Sequence, residues 1–409
     1  MSLFDKYAPL QARVDVMMKI GKDALGVQFD DIISTTRGRI GNREILLAGT
    51  NNYLGLTFDE DCMDAAKDAV DNHGTGTTGS RIANGTYSEH IDLEKALADH
   101  LGMPSCIVFT TGYQTNLSAI SGLAGDKDVV FMDADAHACI IDGTRLTGAS
   151  TIRFRHNNPE DLDKRLRRQG EIEGGHALVV IEGLYSMFGD VAPINEFVEV
   201  THNHGGYLFI DEAHSYGVFG PTGCGLAEEQ GVLDKVDFIS GTFSKSLASV
   251  GGFCASRHPE FEILRKVMRP YMFTASATPA NICAALAAVE KVKQGAELRA
   301  NLKARSEQLH KGLSEMQYDL CAEASPVIAV RRPNEAVAAM EWNWLINNGV
   351  YVNLAVPPGT PQSSSLLRIS LSAAHSEEDI NIILKAFNDL KDNQGALMAG
   401  MAEKMQAAE

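Results

Sequence analysis

Two stretches decide how this chain reads: Gly206-Tyr-Leu-Phe-Ile-Asp-Glu-Ala-His214 and Val236-Asp-Phe-Ile-Ser-Gly-Thr-Phe-Ser-Lys-Ser-Leu247. Each begins with a short apolar run of the kind that forms a buried strand, and each then delivers a residue able to do chemistry. Asp211 closes the first strand. Lys245 follows the second, set among small hydroxyl residues. Alone, such a lysine reads as an ordinary surface cation. Paired with a carboxylate at the end of a neighbouring strand, it is what pyridoxal phosphate (PLP) requires: an amine that forms a Schiff base, an acid partner for the pyridinium, and small donors for the phosphate.

The same texture extends in both directions. Cys106-Ile-Val-Phe, Val129-Val-Phe-Met, Ala177-Leu-Val-Val-Ile and Gly252-Phe-Cys-Ala are further apolar runs, separated by helical segments. Near-continuous apolar strands alternating with helices predict a mostly parallel α/β sheet covered on both faces. Ligands of such sheets bind beyond the carboxyl ends of the strands, where Asp133, Asp211 and Thr242 all fall. Residues 3–25 read as an amphipathic helix, and Ile45-Leu-Leu-Ala with Asn52-Tyr-Leu-Gly-Leu as a hairpin. We expect an N-terminal segment over 1–55, a large domain over 56–285, a small α/β domain over 286–395 and a frayed tail over 396–409. In the small domain the expected elements are a helix over 286–316, strands at Pro326-Val-Ile-Ala-Val, Tyr351-Val-Asn and Leu366-Leu-Arg-Ile-Ser, and helices over 334–348 and 376–391.

Composition narrows the function. The 409 residues carry a formal charge of −17, which disfavours nucleic acid and anionic membranes as electrostatic partners. No apolar stretch is long enough to span a bilayer, and the N-terminus lacks a secretory pattern. The seven cysteines are scattered without Cys-x-x-Cys spacing, which reads as reduced thiols, with no metal site. A cytoplasmic enzyme, at most loosely associated with a membrane, is the expectation. Gly74-Thr-Gly-Thr-Thr-Gly79 matches a dinucleotide pattern, but a helix-like segment precedes it where a strand is needed. Asp211-Glu-Ala-His214 has helicase letters without the phosphate loop that a helicase needs.

Further segments converge on a cofactor. Thr111-Gly112-Tyr113 ends a strand and opens a helix whose amides could hold phosphate. His137 ends another strand and could stack on a flat ring. Ser186 follows Glu182-Gly-Leu-Tyr, and His214 lies three residues past Asp211.

With Gly79-Ser-Arg-Ile-Ala-Asn-Gly-Thr86, Arg153-Phe-Arg-His-Asn157, Gly241-Thr-Phe-Ser-Lys-Ser246 and Arg269-Pro-Tyr-Met-Phe-Thr-Ala-Ser276, the chain resembles the α-oxoamine synthases, most of all their soluble bacterial serine-using branch. The resemblance spans about residues 30–392. It implies a fold-type I, aspartate aminotransferase-like transferase with a mostly parallel seven-stranded sheet and a smaller C-terminal α/β domain. It implies PLP as cofactor and a condensation of L-serine with a long-chain acyl thioester, palmitoyl-CoA or an acyl carrier protein thioester, giving 3-oxosphinganine and CO₂ at the start of sphingolipid synthesis. By resemblance, Lys245 is the imine-forming lysine, Asp211 the pyridinium partner, His137 the stacking ring, and His214 the partner of the phenolic oxygen. Gly112, Tyr113, Ser186, Thr242 and Ser244 would contact the cofactor. Thr274 and Ser276 would reach it from the neighbouring subunit of a homodimer. Asn52, His137 and Arg368 would face the amino acid. Several relatives carry an arginine where this chain has Val356, which leaves Arg368 as the carboxylate candidate of that segment. The alternatives are a sibling using glycine or alanine, such as a 2-amino-3-oxobutyrate or 8-amino-7-oxononanoate synthase, and a non-catalytic partner that keeps the fold. The presence of Lys245 speaks against the second.

Overall fold

The computed structural model describes residues 2–21, 24 and 26–406. Among them the chain divides into a larger unit, Asn51–Ser186 with Asp190–Ala300, and a smaller one. The smaller unit gathers the described residues up to Thr50, Met187–Gly189 and those from Asn301 onward. The N-terminal segment is therefore grouped with the C-terminal residues.

In the smaller unit, the helix read over 3–25 spans Ala8–Ile20 after a single 3-10 turn. Residues 22, 23 and 25 of that reading lie outside the described residues. The expected hairpin is instead a meander of β1 (Asp31–Ser34), β2 (Arg37–Ile40) and β3 (Arg43–Leu47). Asn52-Tyr-Leu-Gly-Leu takes no part in it, running through turns into a 3-10 helix at Leu56–Phe58. Gly55, with φ +76, turns the chain there.

The larger unit holds β4 (Ser105–Phe109), β5 (Val129–Asp133), β6 (Ser150–Phe154), β7 (Ala177–Glu182), β8 (Tyr207–Asp211), β9 (Phe238–Thr242) and β10 (Gly252–Ser256). They form one seven-stranded sheet in the order β4-β10-β9-β8-β7-β5-β6. Only β10 runs antiparallel to its neighbours. Every residue of β4, β5, β7, β9 and β10 is buried, the pattern expected of strands covered on both faces. The seventh strand, β6, was not legible as one because its Ser-Thr-Ile-Arg-Phe sequence lies at the sheet edge with its outer residues exposed. On one face Ile107, Val130, Val180, Phe209 and Phe238 pack with Ala119 and Ile120 of the helix Gly112–Leu123. That packing fixes the helix so that its N-terminus stands at the carboxyl end of the sheet.

The remaining strands, β11 (Val327–Arg332), β12 (Val350–Tyr351), β13 (Asn353–Ala355) and β14 (Ser365–Ser370), belong to the smaller unit. β11-β14-β13 form an antiparallel sheet, while β12 extends the N-terminal meander as the parallel neighbour of β3. The helical stretch expected over 286–316 is two helices, Pro279–Gln294 and Ala296–Glu315, interrupted at Gly295. The last helix, Glu377–Gln406, continues through most of the stretch expected to fray, and residues 407–409 lie outside the described residues.

A charged cluster ties the end of β5 to the chain following β7. His156 makes a 2.8 Å contact from Nδ1 to Asp133 and a 2.8 Å contact from Nε2 to Asp190. Burial alone would push this imidazole down, but its hydrogen bonds to the two carboxylates override that and raise its pKa to about 10. Because the folded value lies above the ordinary 6.5, the stabilisation is complete below about pH 6.5 and disappears as the pH climbs through about 10. The thermal midpoint of His156→Gln is therefore expected to fall below that of the parent at pH 6.5, with the gap closing toward pH 10. A pH-independent gap would show that the ring acts by packing alone.

Candidate active site

A cavity of about 350 Å³ opens at the carboxyl ends of the parallel strands. Gly112, Tyr113, His137, Asp211, His214, Thr242, Ser244 and Lys245 line it together, with Asn116, Cys139 and Glu182. Each arrives for a local reason. Thr111 caps the helix Gly112–Leu123, its Oγ1 accepting from the Gln114 amide at 3.2 Å, which leaves first-turn amides facing outward. Gly112 approaches β9 so closely that a Cβ there would lie 2.6 Å from the Thr242 Cβ and Oγ1. Only glycine fits.

The Lys245 loop is tightly tied. Thr242 Oγ1 donates to the Gly251 carbonyl at 3.1 Å and lies 2.9 Å from Ser244 Oγ. The Ala248 amide donates to the Lys245 carbonyl at 3.0 Å, and Ser249 Oγ donates to the Asn281 carbonyl at 2.8 Å. Ala248 sits at φ +50, a left-handed conformation that costs a non-glycine residue roughly 1–2 kcal/mol. Backbone strain of this kind concentrates where a functional group must be aimed.

Asp211 is 5 % exposed and accepts a hydrogen bond on each oxygen. Asn116 Nδ2 donates to its Oδ2 at 2.6 Å and the Ala213 amide to its Oδ1 at 2.9 Å. Glu182 ends the adjacent strand directly opposite Asp211 in the ladder, so two buried carboxylates lie side by side. Burial and the Asp211 charge push the Glu182 carboxyl well above the usual carboxylate range. Its Oε1 accepts the His137 backbone amide at 2.6 Å, pinning the turn that carries the His137 ring. Tyr53 hydroxyl and His214 Nδ1 are 2.6 Å apart, so Tyr53 backs the His214 ring although neither it nor Asn52 lines the cavity. Its neighbour Asn52 donates from Nδ2 to Thr57 at 2.7 Å, while the buried Asn52 Oδ1 has no hydrogen-bond partner among the described residues.

The other residues read from the sequence lie elsewhere. Ser186 does not line this cavity. Thr274 and Ser276 face a separate small cleft with Arg81 and His90, where Ser276 Oγ lies 2.6 Å from Thr77 Oγ1. Arg368 is a buried residue of β14 in the smaller unit, donating to Ser370 Oγ at 2.7 Å. The run Gly74–Gly79 follows the helix Glu60–His73, with no strand before it, and the next helix starts only at Ser88. That is not the setting of a dinucleotide loop. Asn116, Cys139 and Glu182 were missed in the sequence. Asn116 lies one helical turn after Gly112, and Cys139 two residues after His137, but neither spacing carries a signal by itself.

Residues 43–387 match the family model "Aminotransferase class I and II". The chain belongs to that family. Among the aminotransferase-family proteins it is similar to, the serine palmitoyltransferase of Caulobacter vibrioides is 49 % identical over 390 residues, 95 % of this chain and 96 % of that protein. The Sphingomonas wittichii serine palmitoyltransferase structure superposes with a TM-score of 0.93 at 46 % identity, covering 97 % of this chain and all of that one. A structure of SPT with a PLP internal aldimine gives a TM-score of 0.94 at 42 % identity with the same coverage.

The family's cofactor can be tested against the residues present. PLP needs an anion cradle, an amine, an acid for the ring nitrogen and a flat cover. The Gly112 and Tyr113 amides at a helix N-terminus, with the Thr242 and Ser244 hydroxyls beside them, suit the phosphate. Asp211, held as an acceptor by two donors, suits a protonated ring nitrogen. Lys245 and His137 line the same cavity and supply the amine and the cover. The donor set fits the group.

Proposed function

We propose that this chain condenses L-serine with a long-chain acyl thioester, palmitoyl-CoA being the expected donor, to 3-oxosphinganine with release of CO₂ and free thiol. The observation that carries the reaction class is Lys245 and Asp211 on one cavity beside a helix N-terminus. The choice of serine and a palmitoyl donor rests on near-full-length similarity to serine palmitoyltransferases.

Bound PLP would supply an electrophilic carbon for the amine and an electron sink for the carbanion left at the amino acid's α-carbon. Lys245 would hold the cofactor covalently until serine's amine takes its place, and the freed amine would then remove the α-proton. The Asp211 carboxylate would keep the proton on the ring nitrogen, with Asn116 preventing it from turning away. The His137 ring would close one face and keep water from it.

The test is a product assay crossing serine, glycine and alanine with acyl-CoA donors of several chain lengths. Serine with palmitoyl-CoA should give the dominant product. Turnover with glycine or alanine but none with serine would assign the chain to a sibling synthase instead. An acyl carrier protein thioester tested beside the CoA ester identifies the carrier.

Arg368 is proposed to meet the serine carboxylate, since Val356 removes the other arginine of that segment found in several relatives. Leaving such a charge uncompensated costs roughly 2–5 kcal/mol. Arg368→Ala should therefore weaken serine binding at least about tenfold, read from the visible absorbance of the holoenzyme, while PLP stays bound. Unchanged serine affinity would move the carboxylate to His137 and Asn52. Thr274 and Ser276 lie outside the cavity of their own chain, which supports a homodimer that shares its phosphate sites. Light scattering at assay concentration should give a dimer, and an active monomer would refute the sharing.

A further inference from the structure

Asp211, Asn116, Cys139 and His137 form a continuous chain along one wall of the cavity, and one of them, Cys139, has no role in the reading above. Asn116 Nδ2 donates both to Asp211 Oδ2 at 2.6 Å and to the sulfur of Cys139 at 3.1 Å. The amide's orientation is fixed, because a carboxylate only accepts and so must face NH₂. Cys139 Sγ in turn lies 2.9 Å from His137 Nδ1. The backbone amide of Cys139 also donates to His137 Nδ1, at 3.3 Å.

The second bond settles the direction of the first. A nitrogen that accepts a backbone N–H carries no proton of its own, so the thiol donates to it and the ring proton resides on Nε2. We propose that the Cys139 thiol, oriented by Asn116, is a positioning residue that holds His137 in the Nε2–H tautomer, making the ring a hydrogen-bond donor toward the amino-acid substrate and not a base. The inference rests on the amino-acid condensation proposed above for what the donor meets.

The surrounding charges agree with it. Burial lowers the His137 pKa and the Lys245 charge adds to that, with Asp211 opposing, so the ring is neutral near pH 7. Burial pushes the Cys139 thiol well up, so it keeps its proton and remains a donor. The sulfur accepts from Asn116 while donating to His137, an arrangement in which each hydrogen bond polarises the next. The same amide steadies the Asp211 carboxylate, so one side chain orients the acid partner and the donor ring together.

The test compares the parent with Cys139→Ala and Cys139→Ser in the PLP-loaded protein. With ¹⁵N-labelled histidine, the resonances of His137, assigned by their loss in His137→Asn, should show a protonated Nε2 and an unprotonated Nδ1. Cys139→Ala keeps only the longer 3.3 Å backbone contact to Nδ1 and loses the 2.9 Å thiol contact, so the bias weakens and the two nitrogens should shift toward a tautomer mixture, while Cys139→Ser, which keeps a side-chain donor and acceptor, should restore the parent pattern. Serine affinity should fall about tenfold in Cys139→Ala, the worth of one hydrogen bond, and recover in the serine variant, with PLP affinity unchanged in both. A protonated Nδ1 in the parent overturns the proposal whether or not serine binds. So does an unchanged tautomer in Cys139→Ala, or a serine variant as impaired as the alanine one, which would mark the sulfur as a space filler. Failure of the parent to bind serine would instead count against the proposed reaction and leave the resonance test standing.

Discussion

Lys245→Ala is expected to lower turnover at least about a thousandfold, because among the described residues lining the cavity no other group can both hold the cofactor covalently and take the α-proton. The loss should not come from unfolding. The loop around Lys245 is held by its backbone, through the Ala248 amide to the Lys245 carbonyl and the Ser249 amide to the Phe243 carbonyl, and by Thr242 bridging to Gly251. None of these bonds uses the lysine side chain. Thermal melting of the apoprotein should therefore be close to that of the parent. The decisive measurement is borohydride reduction of the loaded protein followed by peptide mass. The parent should retain one cofactor on the peptide containing Lys245, and the variant none. A variant that still carries reduced cofactor and turns over normally would place the chemistry on another lysine.

Asp211→Asn is expected to weaken PLP binding by about ten- to a hundredfold, since a charge-assisted hydrogen bond is worth roughly 1.5–3 kcal/mol. The structure makes the substitution worse than the loss of a charge. Both Asp211 oxygens accept hydrogen bonds, from Asn116 Nδ2 and the Ala213 amide. An asparagine must point its own NH₂ at one of these donors, so one contact becomes repulsive and the group must rotate away. Exchange of the serine α-proton with solvent should slow by a larger factor than cofactor affinity falls, because the neutral amide cannot hold the ring nitrogen protonated. Equal exchange rates in parent and variant, at saturating PLP, would remove Asp211 from the mechanism.

The fold class was legible because its signal is local. Buried strands such as Ala177–Glu182 and Tyr207–Asp211 must be apolar along nearly their whole length, and they announce themselves. The edge strand Ser150–Phe154 was not legible, because an exposed strand is free to be polar. The N-terminal meander was misread for a related reason. Its strands are short, only partly buried, and take their last neighbour, Val350–Tyr351, from far along the chain, where no local pattern can point.

What the sequence by itself determined is the set of chemical groups and the ends of the strands that carry them: Asp211 closing β8, Lys245 after β9, Gly112 and Tyr113 opening a helix, and His137 beyond β5. Strand-end position follows from period and polarity, and these are properties of a few consecutive residues. The tertiary structure alone decided how those groups are held. Glu182 beside Asp211, Asn116 bridging Asp211 and Cys139, and Tyr53 against His214 are contacts between residues distant in sequence. They exist because parallel strands bring their carboxyl ends into register and a helix N-terminus packs across them. Hydrogen-bond direction and tautomer depend on that three-dimensional neighbourhood.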